Sequence, residues 1–228
     1  MFKNSPIKKL KLYIGLEHEP LTGVTHFLGA FMAVAALVLL IVFASTHGSP
    51  GDVVAFTIFG FSLLALYASS SLYHLMPIGH HWKRIMQRID HSMIFILIAG
   101  TYTPLTIVTI GGTAGWVIFI GIWVLAASGI WIKASWIKVP PLLSTVIYII
   151  LGWLVFVPPL SFNQRLSTEA FTLLLLGGVS YTVGAIIFEI GRYIPNSKKV
   201  GYHEIFHVFT LFGSASHFLL MYKYLLPL

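Results

Sequence analysis

The chain has 228 residues, of which 57% are hydrophobic and 9% charged, and its mean hydropathy is +0.87. Soluble globular domains of this length do not carry such values, so the sequence specifies an integral membrane protein, one domain across residues 1–228. Cysteine is absent, which excludes disulfide frameworks and thiolate metal sites and leaves His, Asp and Glu to hold any metal. The net charge of +7 is spread through short connectors and is not gathered into one patch, which argues for membrane orientation and against nucleic acid.

Runs of about 20 apolar residues mark membrane spans. After a short basic tail of about residues 1–23, with no cleavable signal expected, seven helices are predicted. They run from about Val24 to Ala44, Val53 to Tyr73, Ser92 to Ile110, Trp116 to Ile132, Leu142 to Val157, Phe171 to Glu189, and Tyr202 to Tyr224; the fifth is the shortest. Gly- and Pro-rich connectors punctuate them, including Gly48-Ser49-Pro50-Gly51, Gly111-Gly112 and Pro158-Pro159. Of the 14 Lys and Arg residues, all but Arg165 and Lys223 fall on one side of such a bundle. The expected fold is therefore an all-α seven-transmembrane bundle in the cell membrane, N-terminus cytoplasmic and C-terminus extracellular. That orientation is opposite to the one found in G-protein-coupled receptors, so the helix count alone implies no receptor function.

The polar residues converge on the cytoplasmic end. His203 and His207 open the seventh helix four residues apart, a spacing that puts both imidazoles on one face. His74 closes the second helix and Asp90 opens the third at the same depth. Two imidazoles from one helix and one from another form a tripod that suits zinc and leaves a position for water. Asp90 is expected either to bind the metal directly or to act through that water, whose pKa zinc lowers to about 7. Ser70 lies one turn before His74 on the same face and is placed to hydrogen-bond the water or a substrate oxygen. Asp90 and Ser70 are thus the candidate catalytic pair.

Other groups read more plainly. His80 and His81 sit in a basic connector and are expected to be interfacial, and His91 points about 100° away from Asp90 on a helix. His217 lies about 15 Å beyond His207 along the helix axis, too far to share a metal, and is expected to hydrogen-bond between helices. Without a metal, the remaining four groups would form a buried hydrogen-bond network. His203-Glu204-Ile205-Phe206-His207 also fits the H-E-x-x-H string of zinc proteases, a minor alternative because Glu204 faces away from the histidines' shared side.

Several stretches together resemble a known family. Glu19 and His26, followed by Phe27-Leu28-Gly29, look like a motif before the first helix; Ser70-Ser71-Leu72-Tyr73-His74 with Asp90 looks like a second; His203 to His207 with Ser216-His217-Phe218 looks like a third. Gly100-Thr101-Tyr102-Thr103-Pro104 and Gly178 to Ala185 are similar to stretches of its bacterial branch. The family is the hemolysin III proteins, within the progestin and adipoQ receptor superfamily that includes the adiponectin receptors. The resemblance implies a seven-helix bundle with zinc held by His74, His203 and His207 and with Asp90 on the metal directly or through water. One departure is Thr22, which stands where the family often has Asn.

Two classes of function follow. The first is an enzyme: a ceramidase-like zinc hydrolase of lipid amides or esters, its substrate entering from the bilayer, with a role in membrane-lipid homeostasis. The second is non-enzymatic: a membrane sensor, receptor or pore-forming hemolysin in which zinc only staples helices. Membrane lipids are the expected partners in either case.

Overall fold

The computed structural model describes residues 20–135, 139–156, 162, 165–194 and 201–226. Among them there is no strand. The helices are α1 (Pro20–His47), α2 (Pro50–Leu75), α3 (His80–Pro104), α4 (Gly112–Ala134), α5 (Pro141–Trp153), α6 (Thr168–Gly191) and α7 (Tyr202–Leu220). Wide π-type turns extend α3 over Leu105–Ile110 and α7 over Met221–Leu225, and a 3₁₀ turn extends α5 over Leu154–Phe156. Six of the helices are long and apolar enough to cross a membrane; the segment Pro141–Phe156 is apolar but shorter. The protein is therefore a multi-pass membrane protein whose regular structure, among the described residues, is helical.

The short connectors have local causes. Ser49 caps α2 by accepting from the Asp52 amide, while the Asp52 carboxylate accepts from the Ser49 amide at 2.7 Å, and Pro50 occupies the first helical position. Gly111 and Gly112 take φ of 68° and 55°, a left-handed corner that turns the chain from α3 into α4. Ser167 caps α6 through the Ala170 amide.

Helix α1 shows how packing in lipid works. Its buried positions, Thr22, Gly23, His26, Gly29, Ala33, Ala36, Leu40 and Ala44, recur every three or four residues and form one narrow stripe. Most are small. A Cβ at Gly23 would meet Leu75 at 2.5 Å, and one at Gly29 would meet Leu211 at 2.7 Å, so the stripe lets α1 lie close to α2 and α7. Phe27, Phe31 and Met32 point outward, as expected where lipid replaces water. Around the bundle α1 packs on α2, α2 on α3, α3 on α5, α5 on α6, α6 on α7 and α7 back on α1, with α4 packed outside against α3.

Most helices start one to four residues earlier than the sequence expectation, and the third starts twelve earlier; the shifts in the first and third bear on the site. The first helix runs from Pro20, not Val24, so Thr22 is a helical residue and not part of a preceding tail. The third begins at His80, not Ser92, so Asp90 lies ten residues inside it and Lys83, Arg84 and Arg88 are helical. Trp82, Ile85, Met86 and Ile89 supply an amphipathic stripe there that hydropathy averaging misses. The Lys83 ammonium donates to the Tyr73 carbonyl, tying this first stretch of α3 to the end of α2.

Candidate metal centre

The first turn of α7 fixes the centre. Glu204 braces that turn by accepting from the Gly201 amide at 2.9 Å, which satisfies a donor the helix start would leave orphaned. The same carboxylate accepts from the Thr22 hydroxyl at 3.0 Å, joining α7 to α1. Both oxygens are thus engaged in structure, which accounts for Glu204 without the base role of the H-E-x-x-H pattern. Thr22 is fully buried, and its carbonyl lies 3.1 Å from His207 Nδ1. A carbonyl can only accept, so Nδ1 carries the proton and Nε2 keeps the lone pair that a metal needs. This is the carbonyl–imidazole arrangement that orients metal-binding histidines.

Helix geometry sets His203 one turn from His207, with ring centroids 4.7 Å apart. His74, at the last turn of α2, closes the triangle at 4.8 Å from the His203 ring and 5.4 Å from the His207 ring. One nitrogen from each of the three histidines falls within 4.8 Å of the others, the spread a single cation can bridge. His74 and His207 are buried, and His203 is half-buried. The donor set fits zinc: three imidazoles, no thiolate, and one tautomer already fixed by a backbone carbonyl.

Asp90 stands beside this group and not within it. Among the described residues no carboxylate belongs to the three-nitrogen cluster, yet the Asp90 side chain lies near His74 and His203 and within hydrogen-bonding reach of Ser70. Ser70 is buried one turn before His74 on α2, so the candidate catalytic pair meets across the α2–α3 contact. Four other histidines fall away from the cluster. His80 and His81 are exposed, while His91 is half-buried with Lys133 and Arg192 as its dominant charged neighbours. His217 donates from Nε2 to the Leu174 carbonyl of α6 at 3.2 Å, the interhelical bond expected of it. Glu19 lies outside the described residues.

The family comparison can be set against this geometry. A family model described as Haemolysin-III related matches residues 14–218, a span that includes His74, Asp90, His203 and His207. The chain belongs to the haemolysin-III family. Among haemolysin-III relatives, the "Hemolysin-3 homolog" of Bacillus subtilis (strain 168) is 43% identical over 204 residues, covering 89% of this chain and 92% of that protein. "Hemolysin-3" of Bacillus cereus is 40% identical over 214 residues, covering 93% and 94%. A more distant likeness, 27% identical over 177 residues, links this haemolysin-III chain to the human "Monocyte to macrophage differentiation factor", covering 74% and 69%.

Two residues of the centre escaped the sequence argument. Thr22 stands out in the sequence only as a departure from the family pattern, yet it both positions His207 and holds Glu204. His26 carried no assigned role, and its ring lies flat against His207. The α1 stripe marks both side chains as polar residues on the buried face of an otherwise apolar helix, though it does not mark the Thr22 carbonyl.

Proposed function

We propose that this haemolysin-III protein is a zinc-dependent hydrolase of lipid amides or esters that serves membrane-lipid homeostasis, inserted with seven spans, N-terminus in the cytoplasm and C-terminus outside. The distribution of basic residues supports the orientation. The observation that carries the functional reading is the convergence of His74, His203 and His207 with Asp90 alongside but outside the nitrogen cluster. A carboxylate that bound the metal directly would favour a structural staple, whereas one set apart favours an open position for chemistry.

Zinc bound there would polarise an acyl carbonyl and make water nucleophilic at neutral pH. The chain's own residues supply the rest. The Asp90 carboxylate takes the proton of an attacking water and returns it to the leaving amine or alcohol. The Ser70 hydroxyl holds that carboxylate in place, and the Thr22 carbonyl holds the His207 ring. Apolar outer faces such as those of Phe27 and Phe31 border lipid, which supports substrate arriving from the bilayer.

The test is turnover of a panel of ceramides and phospholipids by purified protein, comparing wild type with Asp90→Ala and His207→Ala. Asp90→Ala is expected to keep its zinc and lose activity by on the order of a hundredfold or more. His207→Ala is expected to lose both. Full activity in Asp90→Ala would refute the assignment.

A second reading, membrane permeabilisation with a structural metal, draws support from the relatives' name and from a buried polar row. In that row the Tyr67 hydroxyl donates to Ser214 Oγ at 2.6 Å, and the Tyr181 hydroxyl meets the same oxygen at 2.8 Å. Its test is dye release from liposomes, and intact liposomes at high protein load would remove it.

A further inference from the structure

His26 is a fourth imidazole at this end of the bundle, used neither by the nitrogen cluster nor by the hydrogen-bond network around it. It is 3% exposed. One face of its ring lies on His207, with centroids 3.4 Å apart and planes within 4° of parallel. Tyr67 meets it edge-on at 5.0 Å. The ring is therefore clamped. Among the described residues, both of its nitrogens are buried without a hydrogen-bond partner.

That combination is costly unless something else uses the nitrogens. A residue needed only for stacking would be better as phenylalanine, which fills the same clamp and buries no polar atom. A buried group left unsatisfied among the described residues calls for an explanation such as a catalytic or binding role, or a bound water, ion or ligand. The partner has to be polar and has to enter the space beside His207, on the side where His26 faces His74 and His203. His26 itself stands outside the three-nitrogen group, so its geometry does not suit a metal ligand.

We propose that His26 is a substrate-positioning residue: its ring N–H hydrogen-bonds the carbonyl or carboxylate oxygen of a lipid acyl head held at the His74–His203–His207 centre. The inference rests on the hydrolase reading and names the part of the substrate that His26 grips. The clamp between Tyr67 and His207 holds the donor in a fixed direction before the lipid arrives, so little ordering is needed on binding.

The experiment uses the full chain in detergent, with zinc content and the affinity for a pyrene-labelled long-chain fatty acid as readouts independent of turnover. His26→Phe keeps a flat ring and removes both nitrogens. It is expected to retain zinc and to bind the fatty acid about tenfold more weakly, the worth of one hydrogen bond to a charged group. Unchanged fatty-acid affinity in this variant overturns the proposal, and so does loss of zinc from folded His26→Phe, which would make His26 a ligand. If His26→Phe fails to fold, His26→Gln, which retains an N–H donor, is expected to bind within about threefold of wild type; a tenfold loss there overturns the proposal. Wild-type protein without zinc sinks the hydrolase reading itself. Wild-type protein that holds zinc and ignores the fatty acid sinks only the role of His26.

Discussion

His207 and His217 lie ten residues apart on one helix, and the contrast between them separates a candidate metal site from a packing contact. Both are buried imidazoles, and both donate one ring N–H to a backbone carbonyl of another helix: His207 Nδ1 to Thr22 at 3.1 Å, His217 Nε2 to Leu174 at 3.2 Å. What differs is what shares the space around them. His207 belongs to a group whose other nitrogens come from His203 and His74. His217 fits against Gly177, where any Cβ would strike its ring, with Tyr181 as its aromatic neighbour. A buried histidine with a carbonyl partner is ordinary membrane packing. A site arises only where several of them converge.

The largest expected effect breaks the convergence. His207→Ala should weaken metal binding by on the order of a hundredfold or more, since it removes one of three protein ligands, as read by metal titration of the purified protein. His217→Ala should leave that affinity within about threefold and instead cost roughly 1–3 kcal/mol of stability through the lost interhelical bond, as read by thermal melting. Equal metal loss in both variants would erase the distinction.

A second effect sharpens the role of the carbonyl brace. Thr22→Val removes the hydroxyl that holds Glu204 and loosens the α1 turn whose carbonyl orients His207. Metal affinity should fall about tenfold, the usual scale for residues that orient a ligand. Gly177→Ala, at the other histidine, should destabilise the fold by about 1–3 kcal/mol through overpacking while leaving metal affinity alone.

Acid supplies a gentler break. Protons compete with a metal for imidazole nitrogens, so bound metal should be lost progressively on acidification. Its stabilising effect on the melting temperature should disappear in the same direction. The smallest effect is expected from Glu204→Gln, which keeps an oxygen to cap α7. It should leave turnover within a few-fold of wild type, whereas a protease-type base would lose it by at least about a hundredfold.

Much of this architecture was legible in the sequence because lipid imposes a simple rule: long apolar runs become helices. The spacing of His203 and His207, and the placing of His74 at the end of a span, followed from helix periodicity and span boundaries alone. The polar helix ends were not legible. Trp82, Ile85, Met86 and Ile89 are interleaved with Lys83, Arg84 and Arg88, so the first three turns of α3 average to a connector although their apolar residues share one face. Thr22 hid for a different reason. Its decisive group is a backbone carbonyl, which every residue carries and no sequence pattern marks. His26 depended on α1 being brought against α7 by a stripe of small residues, a tertiary contact that becomes visible only with Gly23 and Gly29 packed in place.

His74, His203 and His207 are proposed to bind one metal ion together. Elemental analysis of protein extracted in mild detergent tests it most directly, on wild type and on the three single alanine variants. About one zinc per chain in wild type and little in each variant is the predicted result for a three-ligand site. Metal-free wild type, or zinc retained at wild-type level in all three variants, would contradict it.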